Sequence, residues 1–439
     1  WLLHFNAVVG GKTITPIKIA DAQKNSSYWQ ATEAGTPATA LFFLKAAKPD
    51  RLKDAPGGAR HLQVDAVSLD KGKQVFADTC ARCHSSKAPK APVDLAAPQC
   101  TGAGYLNCFK QYWAWTQTDD FKKQMRPIVA APDFLENNYL STDLRIPATL
   151  LRTNVCSPLA TNALGGNIWN DFSSSSYKAL PTVGTVTLAD PFTGQSWAYA
   201  MPAGGRGYTR VPSLISLWST GPFLLNNTAG PFDTSPTVEA RLKVFDASIE
   251  QMLWPEKRER DQELGNKVDG TIDRTTERSE IVIPVGFVPE SLQPLQGKLH
   301  RWLPQLFSAG GDVVLGPVPK GVPIAILSNL KLRAEEGGIV DKAEHLARIS
   351  ALALRLKANL LTAPKDASDA QLRQHFTDLR EPMLALSKCP DFVVNRGHYF
   401  GTAQFNRQDG LSADEKAFGK EPALSDADKR ALIAFLKTF

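Results

Sequence analysis

No stretch of this 439-residue chain reaches the about 18 uninterrupted apolar residues that a membrane-crossing helix needs. The richest runs, "ATALFFLKAA" and "ISALALRLKANLL", are short or amphipathic. A basic stripe with interleaved aromatics is also missing, which removes the footprint of a nucleic-acid binder. Lys and Arg exceed Asp and Glu by a formal +6, but the signs are mixed along the chain, and "WPEKRERDQELGNK" reads as a solvated face. The excess suits solubility or an acidic redox partner equally. No internal repeat, Ser/His/Asp arrangement or paired-carboxylate site stands out. "GGNIWN" and "MPAGGRG" have glycines but no strand and helix in the places a phosphate loop requires. The chain opens at Trp1 without the charged, apolar and small-residue regions of a signal peptide. Nothing in the residues states an oligomeric state.

What is present is one "CARCH", at 80–84. Cys80 and Cys83 lie three apart, so both can form thioethers to the vinyl groups of one haem, and His84 follows at once to place an imidazole on the iron. A disulfide loop or half a zinc site is the competing reading; no second C-x-x-C exists to complete a zinc cage. The preceding "LDKGKQVFADT" reads as a helix capped by Asp70, with Gly72, Val75 and Phe76 on one face and Phe76 packing toward the haem. This is also how the first helix of class I c-type cytochromes reads. Haem is attached through thioethers outside the cytoplasm, so the motif implies a periplasmic or extracellular protein with an export signal ahead of Trp1.

The four other cysteines are Cys100, Cys108, Cys156 and Cys389. In an oxidising compartment they are expected as two disulfides with three possible pairings, of which Cys100–Cys108 across "CTGAGYLNC" is the simplest loop.

With 31 Gly and 30 Pro scattered through the chain, extensive irregular structure is expected beside a mainly α framework. Residues 1–65 read as an N-terminal segment and 66–439 as a cytochrome c-like haem domain with a very large insertion at about 100–390. The insertion is aromatic and loop-rich over 100–235, with Tyr112, Trp113, Trp115, Trp169, Trp197, Trp218 and Phe223, and helical over 235–390. "TVGTVTLADP" and "SWAYAM" alternate as a hairpin would. "TVEARLKVFDASIEQML", "VDKAEHLARISALALRLKANLL" and "SDAQLRQHFTDLREPMLALS" carry helical apolar periodicity, the second with a stripe of Leu346, Ile349, Leu352 or Ala353, Leu356 and Leu360. "LSDADKRALIAFLKTF" opens on a Ser425–Asp428 capping box and buries Leu432, Phe435 and Leu436, like the closing helix of a cytochrome c domain.

The other face of the iron decides between electron transfer and chemistry on oxygen or peroxide. His345 and His375 flank amphipathic stripes and read as structural, His4, His61 and His300 as surface residues, and Met125, Met252 and Met383 as core. Two candidates remain. Met201 sits in "YAMPAGGRG", a loop in which Met precedes Pro. His398 sits in "NRGHYFGT", where Gly397 and Gly401 let the backbone approach the haem and Tyr399 and Phe400 can pack on it. His398 is preferred because it lies just upstream of the closing helix.

Three stretches, "LRIPATLLRTNVCSPLATNALGGNIWNDFSSSSYK", "GRGYTRVPSLISLWSTGPFLLNN" and "GHYFGT" followed by "LSDADKRALIAFLKTF", resemble the bacterial haem-c rubber oxygenases and, more distantly, the dihaem cytochrome c peroxidases. The resemblance covers most of the chain from about 68 onward. It implies a bis-histidine C-terminal haem, with His84 proximal and His398 distal, and a second haem at which oxygen or peroxide reacts. Leu225 stands where relatives commonly have the His of P-Y-L-H-N. Only one haem-attachment motif is present here, so a second haem would lie upstream or on a separate segment, or be missing. The readings that follow are an electron-transfer cytochrome working with a redox partner protein or a second haem domain; a peroxidase or oxygenase acting on peroxide or an apolar polyisoprenoid-like substrate; and a docking role for the insertion.

Overall fold

The computed structural model describes residues 23–24, 27–153, 155, 174–189, 195–224, 229–258, 275, 277–283, 300–301, 304, 307–322, 338–364, 366–386 and 396–439. His4, Cys156, Trp169, Leu225 and Cys389 lie outside them. The chain forms two compact units, one of Lys45–Ala163, Phe172–Thr271 and Val394–Phe439, the other of Trp1–Leu44, Leu164–Asp171 and Ile272–Val393. The described residues are mainly helical, with short two-stranded ladders and long irregular connections. None of the described helices is long and apolar enough to cross a membrane.

In the first unit, helix α1 (Ala66–Thr79) begins one turn earlier than the sequence reading placed it. Asp65, not Asp70, is the cap: its backbone is extended and its carboxylate accepts the Ser68 N–H at 2.8 Å. Asp70 lies inside the helix and pairs with Lys73 at 3.4 Å. Helix α2 (Tyr105–Thr116) starts beside a Cys100–Cys108 disulfide, and α3 (Asp119–Ala130) is capped by Thr118. Phe121, Met125 and Val129 recur every fourth residue along α3 and are fully buried. Helix α4 (Val238–Leu253) buries Leu242, Phe245, Ile249 and Leu253 in the same core. The closing helix α5 (Asp426–Leu436) has the expected capping box, Ser425 accepting the Asp428 N–H at 3.1 Å.

Helices α1 and α5 meet where Gly72 has no side chain. A Cβ there would lie 2.2 Å from the Ala431 carbonyl oxygen. One turn on, Phe76 is fully buried with its ring 5.5 Å from that of Phe435, 5.2 Å from Phe439 and 6.0 Å from Phe134. Burying such a side chain contributes about 1.5–3 kcal/mol. Lys71 and Asp428 close the rim of this crossing at 2.9 Å.

Two antiparallel ladders flank the helices. Strand β1 (Arg145–Pro147) pairs with β4 (Tyr208–Arg210), Ile146 opposite Thr209. The hairpin expected from alternation is formed by β2 (Thr185–Ala189) and β3 (Ser196–Ala200), with Thr187 opposite Ala198.

In the second unit, β5 (Ser279–Ile283) pairs with β6 (Val313–Val318), and a long helix, Ile339–Thr362, packs Leu352 on Leu379 and Leu386. Ile349 and Leu356 share that contact, whereas Leu346, expected on the same stripe, is exposed. The next expected helix is broken into Asp369–His375, a 3-10 turn over Thr377–Leu379, and Arg380–Ala385. Pro382 is the cause: its ring is tolerated only within a first turn, so the helix restarts at Arg380. His375 is structural, its Nε2 2.8 Å from the Asn359 carbonyl oxygen.

Adding one methyl group at the crossing tests this packing. Gly72→Ala is expected to destabilise the first unit by about 1–3 kcal/mol, since the new Cβ must displace backbone of α5. A urea unfolding midpoint equal to that of the unaltered protein would contradict the crossing.

Candidate functional site

The C-terminal end of α1 runs directly into the C-x-x-C-H stretch. The Phe76 carbonyl accepts the N–H groups of Cys80 and Ala81, each at 2.9 Å, and the Cys80 carbonyl accepts those of Cys83 at 3.1 Å and His84 at 2.9 Å. Helical winding thus continues for one more turn, which puts residues at i, i+3 and i+4 on one face: Cys80, Cys83 and His84.

The 396–402 loop brings His398 to that face. The His84 and His398 ring centroids are 6.2 Å apart, with the ring planes at 56°. His398 has φ 54°, a left-handed backbone that costs a non-glycine residue about 1–3 kcal/mol. Its neighbours explain how it is held. The His398 N–H donates to the Leu151 carbonyl at 3.0 Å, and Arg258 donates to the Gly397 carbonyl at 3.0 Å with its guanidinium over Tyr399 at 5.0 Å. Gly397, at φ 90°, lies so close to Thr153 that a Cβ would fall 2.5 Å from its backbone. Phe400 sets its ring 5.3 Å from that of His398, edge to face.

Cys80, Cys83, His84, His398 and Phe400 are surrounded by protein, yet each keeps some accessible surface. They are half-buried, with Cys80 packed against the α1–α5 core in which Phe76 is fully buried. Burial pushes the Cys80 thiol up to about 12 and that of Cys83 to about 11, so both are protonated near neutrality. It pushes the two imidazoles the other way. His84 falls to about 3, through burial and then the nearness of His398; His398 falls to about 4, through burial and then the charge of Arg258. Both rings are therefore neutral at pH 7 and carry a free lone pair. The Pro212 and Leu140 carbonyls bear on the His84 ring, but its buried Nδ1 closes no full hydrogen bond.

A buried ion pair joins the two halves. Arg82, inside the motif, meets Glu421 at 2.5 Å, and both are over nine-tenths buried. The Arg82 guanidinium lies 4.1 Å above the Trp113 ring and 5.6 Å from that of Phe400, while its carbonyl accepts the Tyr112 hydroxyl at 2.8 Å. The other Glu421 oxygen accepts the Gly401 N–H at 2.8 Å.

Of the expected site residues, Cys80, Cys83 and His84 share one turn and His398 comes to face them. Tyr399 is buried under Arg258, and Phe76 lies in the α1–α5 core. Met201 is buried at the end of β3, its N–H donating to the Gly184 carbonyl at 3.0 Å and its carbonyl accepting the Thr182 hydroxyl. Sequence reading gave no site role to Arg82, Glu421 or Trp113, and it took Arg258, in "WPEKRERDQELGNK", as part of a solvated face, whereas Arg258 is buried. Only Arg82 carried a local signal, being a charge in the middle of an otherwise small-residue motif. Among the described residues no cluster of three or more His, Cys, Asp or Glu is arranged to hold a metal ion. Two opposed imidazoles suit an ion whose remaining positions are filled by a macrocycle.

Comparison of the chain with family models, curated proteins and solved structures returns no match.

The depressed imidazole pKa values fix the sign of an acid effect. The unfolded chain takes up protons on these histidines below about 6.5, whereas the folded chain resists until about 4 and 3, so stability is lost as pH falls through that window. Urea midpoints measured from pH 7 to 4 should fall less steeply for His398→Gln than for the unaltered protein; identical slopes would contradict the burial of a neutral ring.

Proposed function

We propose that this chain is a c-type cytochrome that transfers or stores single electrons, holding one haem c through thioethers at Cys80 and Cys83 and capping the iron with His84 and His398. The observation that carries this reading is the 6.2 Å between the two ring centroids, at the end of the only C-x-x-C-H. A five-membered ring with bonds of about 1.33 Å has its atoms about 1.1 Å from the centroid. A metal–imidazole bond is about 2.0–2.1 Å. Two imidazoles bound to opposite sides of one iron therefore place their centroids a little over 6 Å apart. The Pro212 and Leu140 carbonyls near the His84 ring add support, because a ligating histidine commonly turns its other nitrogen toward such a group.

The haem supplies a one-electron ferric–ferrous couple. The chain's residues do the rest. Neutral imidazoles keep a lone pair available at physiological pH, so His84 and His398 would hold the iron between them and keep oxygen and peroxide from it. Two nitrogens, in place of nitrogen and thioether, favour a lower potential than a His/Met pair gives. Helices α1 and α5 then take the places of the first and last helices of a class I cytochrome c domain, with the residues between them as its insertion. Export to the periplasm or beyond follows from thioether attachment. The partner in this reading is another redox protein or a second haem domain.

His398→Ala tests the assignment. The mass of the natural protein should include one haem, and the variant's ferric absorption spectrum should change from low-spin to high-spin, with the ferrous form gaining rapid carbon monoxide binding. An unchanged spectrum would transfer the distal position to another side chain and overturn the bis-histidine site.

A further inference from the structure

The buried Arg82–Glu421 pair is more than a core contact, because each member is attached to a different side of the candidate iron site. Arg82 lies between Cys80 and Cys83 in the attachment turn. Glu421 lies 339 residues away, and its two oxygens are divided between the sides: Oε2 meets Arg82 at 2.5 Å, and Oε1 accepts the Gly401 N–H at 2.8 Å, three residues after His398. The carboxylate is itself held in register. Asn406 donates from Nδ2 to the Glu421 carbonyl at 2.8 Å and accepts the Glu421 N–H on Oδ1 at 3.0 Å. Gly401 cannot easily shift. It has φ 71°, a Cβ there would lie 2.8 Å from the Leu424 side chain, and its carbonyl accepts the Leu424 N–H at 2.9 Å.

These bonds restrain a loop that is strained at its centre. His398 has a left-handed backbone between two positive-φ glycines, and such a conformation persists only where its surroundings hold it. Ion pairs this deeply buried seldom add net stability over apolar residues of similar size, so stability alone does not explain the pair's presence.

We propose that Glu421 is the positioning residue for the distal imidazole: its hydrogen bond to Gly401, held in register by Asn406, keeps His398 at its distance from His84. The inference rests on the bis-histidine reading of this site. Without that bond the loop would relax and His398 would hold a bound haem less firmly, which the rate of carbon monoxide binding would report.

Removing one member of a buried pair strands a charge and can unfold the protein, so both charges are removed together. In Arg82→Met/Glu421→Gln the amide oxygen still accepts the Gly401 N–H; in Arg82→Met/Glu421→Ala nothing does. Carbon monoxide binding to the ferrous holoproteins is followed by stopped flow, with thermal unfolding as a check that both fold. The Ala double variant is expected to bind carbon monoxide at least tenfold faster than the Gln double variant, and the Gln double variant at nearly the rate of the unaltered protein. Equal rates in the two double variants, whether slow or fast, would overturn the positioning role. Rapid binding by the unaltered protein would instead overturn the bis-histidine reading on which it rests.

Discussion

Close contact between α1 and α5 at Gly72 is the constraint on which the rest of the first unit depends. The backbone of α5 occupies the space where a side chain would be, so α1 has one possible approach and its C-terminal turn points in one direction. Phe76, a turn further on, fills the junction with Phe435 and Phe439 and at the same time accepts the backbone bonds that start the C-x-x-C-H turn. Packing and site are thereby coupled through one residue: the ring belongs to the core and the carbonyl to the site.

The opposite wall depends on a different kind of order. Arg396–Thr402 has no helix or strand to stiffen it, so its shape comes from single bonds to distant segments: Arg396 to Thr187, Arg258 to Gly397, His398 to Leu151, and Gly401 to both Glu421 and Leu424. Desolvation at the site then sets the state of the two rings: it keeps both imidazoles neutral, the form that binds a metal. A helix end faces a loop clamped at four residues, so one imidazole is set by winding and the other by separate bonds that can each be altered.

Elements governed by neighbours in sequence were legible: the Ser425 capping box, the β2–β3 hairpin from strict alternation, α4 from its apolar period, and the Cys100–Cys108 loop. Errors arose where two local signals competed. Asp65 and Asp70 both resemble helix caps, and only the backbone conformation before Ala66 decides between them. Pro382 carried the signal for the broken helix, but the apolar period on either side of it outweighed that signal. At the site, His84 was readable from spacing and His398 from its flanking glycines and its place upstream of the closing helix. Glu421 and Arg258 were not readable at all. An ion pair across 339 residues leaves no periodicity, and a buried glutamate in "GKEPAL" looks like any surface carboxylate until the fold surrounds it.

In the proposed cytochrome, His84 and His398 share one iron. Near-infrared magnetic circular dichroism of the ferric holoprotein reads the pair of iron-bound side chains from its charge-transfer band. A low-spin band of bis-imidazole coordination is expected; a band typical of imidazole with thioether, or a high-spin spectrum, would rule that pairing out.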